Sequence, residues 1–141
     1  MVAVPVCSLP ASVQPDWMSP EAVQSEFVGK KMRGQVYDGR TMTWTWHEGG
    51  RLEMCEDSLC VEGRWLVRGR ASCIVSGPPY WHLQERCAVV HKLSANCYEF
   101  HLTFPLAGPR LDAGDFKPDP RWHSRGWREE KPSTCEERPS A

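Results

Sequence analysis

The sequence has almost no net charge: 17 Lys and Arg stand against 18 Asp and Glu, a formal −1 at pH 7. Without a global field of either sign, nothing gathers a polyanion or holds the chain on an anionic membrane, so nucleic acid is disfavoured as a partner. No apolar run approaches the roughly 20 residues of a spanning helix, which excludes a helical membrane span. No Lys or Arg precedes Lys30, so the apolar start MVAVPVCSLPA lacks the charged region of a secretory signal. There is no C-x-x-C and no H-E-x-x-H to supply close metal ligands, and no G-x-S-x-G elbow to present a serine nucleophile. No metal and no cofactor is therefore expected. Repeats of solenoid length are absent as well.

What is present is a chain of 141 residues, enough for one domain, and seven cysteines, many for a reduced compartment. Export to the periplasm or beyond is the expectation, with a cytoplasmic protein bearing free thiols as the alternative. Residues 1–18, with Pro5, Pro10 and Pro15, read as an extended leader. Ser19-Pro20-Glu21 then marks a helix start, with an N-cap, a proline where its missing N–H costs nothing, and an acid near the positive dipole end. Val23 and Phe27 share one face of this short helix, and Gly29 supplies the stop.

From Lys31 the apolar period changes from 3.6 to 2, which predicts a β-meander. Three-residue turns at Tyr37-Asp38-Gly39 and Glu48-Gly49-Gly50 place Met32 opposite Trp44, Trp44 opposite Met54 and Trp46 opposite Leu52. Only this register gathers every large apolar group on one side. Burying an indole removes roughly 150–250 Å² from water, an upper-bound gain of about 4–6 kcal/mol, so Trp44 and Trp46 face inward. Gly34 leaves space for one of them. Further strands follow at residues 64–67, 71–75, 87–91 and 97–104, giving six or seven in all. Residues 19–104 are therefore read as a helix plus a small antiparallel meander or barrel. Residues 105–141, broken by six prolines and with seven acids cancelling seven bases, are read as an irregular tail.

Candidate chemistry is sparse. Cys55 and Cys60 bracket a short loop, and Cys73 can face Cys87 across residues 77–83, so both pairs are disulfide candidates. Cys7 and Cys135 can tie the termini and leave Cys97 odd, although spacing does not fix connectivity. Cys97, Glu99 and His101 share one strand face at about 7 Å steps, the arrangement of a small cysteine-dependent enzyme and equally of a solvent-facing strand side. Arg64-Trp65 to Arg70 and Arg121-Trp122 to Arg128 interleave cations with indoles, as single-stranded nucleic-acid binders do, but neighbouring acids cancel the second patch. Trp122 and Trp127 in the tail are the better candidates for contact with a protein partner.

The series Ser19-Pro20-Glu21, Phe27-Val28-Gly29-Lys30-Lys31, Asp38-Gly39, Trp44, Gly49-Gly50, Gly63-Arg64-Trp65, Cys73-Ile74 and Cys87 resembles a family of short exported proteobacterial β proteins known only as a domain of unknown function. The resemblance covers residues 19–104. It implies an exported small barrel and a Cys73–Cys87 bridge, and carries no catalytic residues. Together these readings point to a non-catalytic binding or envelope-associated module for a small apolar ligand or a protein partner. If the interior is hollow, Trp44, Trp46, Trp65, Tyr98 and Phe100 line it.

Overall fold

The computed structural model describes residues 16–76 and 84–135. Helix α1 spans Pro20–Phe27, capped by Ser19, whose Oγ accepts from the Ala22 N–H at 3.1 Å, and the chain leaves it through Gly29 at φ 79°. Strands β1 (Lys31–Val36), β2 (Thr41–Trp46), β3 (Arg51–Glu56), β4 (Leu59–Arg68), β5 (Ala71–Ser76), β6 (Gln84–Ser94) and β7 (Cys97–Phe104) run as an antiparallel meander. A short helix α2 (Pro109–Asp112), strand β8 (Lys117–Pro118) and strand β9 (Ser124–Arg128) complete the order.

The register matches the turn parity. Met32 pairs Trp44, Gly34 pairs Met42, Trp44 pairs Met54 and Trp46 pairs Leu52, with Gly39 at φ 96° in the left-handed position its turn requires. β6 pairs β7, and β9 lies between β7 and β1, so eight strands close into a barrel with β8 outside it. Closure leaves the barrel strands no free edge.

The tail reading is corrected here. Residues 105–135 supply β9, which closes the barrel, and α2, which packs outside it: Leu111 is buried with Ala71, Cys73 and Cys87. Gly126, with no side chain, is what allows β9 to lie beside β1. A Cβ there would stand 2.5 Å from the Trp44 indole, and one at its partner Gly34 would stand 2.6 Å from it. Trp44 therefore lies across two paired glycines. The leader is described only from Asp16, where Trp17 bridges to His91 and the Met18 N–H donates to the Val90 carbonyl.

α1 closes one end of the barrel. Phe27 is fully buried and meets the rings of Tyr98, Trp46 and Phe100 at centroid distances of 4.8, 5.8 and 5.8 Å. The Tyr98 hydroxyl donates to Glu26, and burial together with that carboxylate drives the phenol far above its ordinary pKa.

Candidate functional site

Above this plug the barrel is hollow. A cavity of about 360 Å³ lies between Trp44, Trp46, Phe100, Met42, Met54, Ile74, Val90 and Leu102, within the 300–1,000 Å³ range of small-ligand sites. Its depth follows from the strand parity. Even-numbered residues of β2, β3, β5, β6 and β7 point inward, and Ala88 and Ser72, small and paired across β5 and β6, leave the space open. Trp44 and Trp46 are 8% and 4% exposed and still line it. Of the other expected lining residues, Phe100 lies on the wall. Trp65 sits behind Trp46, stacked at 5.4 Å with its Nε1 donating to the His47 carbonyl at 2.8 Å, and Tyr98 packs below against α1. Neither reaches the cavity.

The cavity opens at the end away from α1, where Arg40, Gln84 and Arg86 are exposed and Ser76, His123 and Ser124 complete the rim. Tyr37, Leu59 and Phe104, the exposed large apolar side chains among the described residues, belong to turns and strand ends on this same side. Sequence reasoning missed the polar rim. The signal was available: pairing Cys73 with Cys87 puts Arg86 opposite Ile74 and turns it inward with Ala88 and Val90. Arg40 is held by Asp38 at 2.8 Å and approaches Glu56 at 3.9 Å. Burial pushes the His123 imidazole below its ordinary range. The Arg86 and Arg40 guanidiniums push it the same way against the opposing influence of Asp38.

The cysteine positions differ from expectation in one respect. Cys55 is joined to Cys60, Cys73 to Cys87, and Cys97 to Cys135, while Cys7 lies outside the described residues. Cys97 is thus not the odd cysteine, and its sulfur, bonded to Cys135, is not a thiolate nucleophile. The two clusters with metal-ligand spacing, Glu53-Cys55-Cys60 and Cys73-Glu85-Cys87, are built on these same bonded pairs.

Nor is the Glu99 and His101 face open to solvent. His101 is 4% exposed beneath Trp17, whose ring lies 5.0 Å away. Its Nε2 meets Glu99 Oε1 at 2.6 Å and its Nδ1 meets the Asp119 carbonyl at 2.7 Å. Arg125 donates to the other Glu99 oxygen at 2.9 Å. This ion network ties β7 to β9 and to the chain before it. Trp127 is half-buried on β9, and Trp122 carries the Arg125 guanidinium on its ring at 4.6 Å. With Trp65 inside, Arg68 on Glu85 and Asp112, and Arg121 on Asp119, the cation and indole segments form no bare stacking stripe among the described residues.

No helix of the described residues is long and apolar enough to cross a membrane. No family model, curated protein or solved structure matches this chain. It is a small β-barrel module with three disulfides.

Proposed function

We propose that this barrel is a binding module that takes up one small, mostly apolar molecule in its interior, and that it works in an exported, oxidising setting. The observation that carries the reading is the open cavity walled by Trp44, Trp46, Phe100 and the Met42 and Met54 side chains. Eight-stranded barrels are wide enough either to fill with side chains or to hold one small ligand, and here about 360 Å³ is left unfilled. Empty apolar space forfeits dispersion contacts on its lining, so a guest that restores them is favoured. Three disulfides, one of them spanning 38 residues, support the oxidising compartment, in keeping with the resemblance to exported β proteins.

The test is titration with N-phenyl-1-naphthylamine, a neutral apolar fluorophore, read by energy transfer from tryptophan. Saturable binding of one probe per barrel is expected. Ala88→Phe, which places a ring in the space beside Ser72, is expected to abolish that binding while the far-UV spectrum is retained. Probe binding unchanged in Ala88→Phe would place the site elsewhere and refute the reading.

A further inference from the structure

The rim of the cavity is not neutral, although the chain is. Arg40, Arg86 and His123 line it, and no Asp or Glu does among the described residues. Residues 77–83, which join β5 to β6 beside Ser76 and Gln84, read GPPYWHL and contain no acid either. The two arginines are not equivalent. Arg40 is engaged by Asp38 and Glu56, whereas Arg86 has no ion-pair or hydrogen-bond partner among the described residues. Every other arginine of the barrel wall with a carboxylate in reach uses it: Arg33 on Glu129, Arg51 on Glu62, Arg68 on Glu85 and Arg125 on Glu99. Arg86 stands in register with Ile74, directly over the apolar wall, so its charge is presented where the interior meets water. Ser76 and Ser124 add hydroxyls on the same rim.

From this arrangement we infer that the ligand is a short-chain amphiphile with a carboxylate head, its hydrocarbon held against Trp44, Trp46 and Phe100 and its head on the Arg86 guanidinium. The inference rests on the cavity reading above and narrows it to a ligand class. A carboxylate at the edge of an apolar site is disfavoured unless a cation and hydrogen-bond donors receive it. A guanidinium supplies both in a planar fork matched to two oxygens.

Competition against N-phenyl-1-naphthylamine at pH 8 compares octanoate with 1-octanol, two guests of one chain length that differ in the head. The native protein is expected to bind octanoate at least as tightly as octanol. In Arg86→Gln the octanoate-to-octanol preference is expected to fall about tenfold, the low end for a charge-assisted hydrogen bond. Arg86→Lys, which keeps the charge, is expected to retain most of the preference. A preference untouched by Arg86→Gln, or octanol favoured by about tenfold in the native protein, would overturn the head-group assignment and leave the apolar cavity standing. Failure of both guests to displace the probe would overturn the two readings together.

Discussion

Trp44 shows how little room separates a filled barrel from a hollow one. Its indole crosses β1 and β9 on Gly34 and Gly126, so the large ring lies flat on the wall and the space above it stays open. Gly126→Ala would set a methyl 2.5 Å from the ring, and the ring would have to swing into the cavity. That substitution is expected to cost about 1–3 kcal/mol, as overpacking does, and to weaken probe binding at the same time. Urea denaturation and probe titration on the same variant check both outcomes, and a change in one without the other would contradict the account. Gly34 was legible because it neighbours the residue paired with Trp44. Gly126 was not, since it enters through a pairing with a strand some ninety residues away.

His123 supplies the second residue-level prediction. It is faced by Arg86 of β6 and by Arg40 and Asp38 of the β1–β2 turn, with the Tyr37 ring 5.9 Å away. The unfolded chain takes up this proton near the ordinary value of 6.5, and the folded chain only at lower pH. The folded state thus binds fewer protons in that window, so stability is full above about pH 6.5 and declines as pH falls through the folded value. The depressed carboxylates Asp38, Asp119 and Glu129 lose their contributions only at more acid pH, below their ordinary range. Between pH 7.5 and 5.5, His123→Gln is therefore expected to show a flatter dependence of the urea midpoint than the native protein. Parallel curves would refute the assignment.

Among the elements, β9 decides the architecture, and it is the one that local sequence pattern did not reveal. SRGWR has no clean alternation, sits between prolines and carries as much charge as the loops around it. It becomes a strand because both its edges find partners, β1 and β7, and because residues beyond it are pinned. Asn96, 3% exposed in the β6–β7 turn, accepts from the Arg128 N–H at 2.9 Å. Its amide faces the carbonyls of Arg128, Lys131 and Pro132. The Cys97–Cys135 bridge closes the loop that contains β9. In the chain-entropy picture a loop of that length stabilises by about 4 kcal/mol. The double variant Cys97→Ser, Cys135→Ser is expected to lose a comparable amount and to raise amide exchange at 124–128 more than at the β2–β3 pair. Uniform exchange across both would show that the bridge does not hold the closing strand. The meander from β1 to β7 was legible, by contrast, because its turns are short and its alternation is set by large side chains such as Trp44, Trp46, Leu52 and Phe100.

For the whole molecule, parity fixes which residues point inward but not whether they fill the space. That depends on the summed volumes of eight strands, and the small residues Ser72 and Ala88 count as much as the tryptophans. A single sequence shows the tryptophans readily and the small residues hardly at all. This is why the barrel was legible and its cationic mouth was not. It also explains why Cys97, Glu99 and His101, plausible as chemistry on an isolated strand, resolve into a disulfide and a buried ion network once the chain after Phe104 wraps over them. The central claim, an apolar space inside a closed barrel that accepts a guest, is tested most directly by diffraction from crystals pressurised with xenon, which occupies dry apolar cavities. The account predicts xenon bound between Trp44, Trp46 and Phe100; a barrel interior without xenon, its space taken by those same side chains, would contradict it.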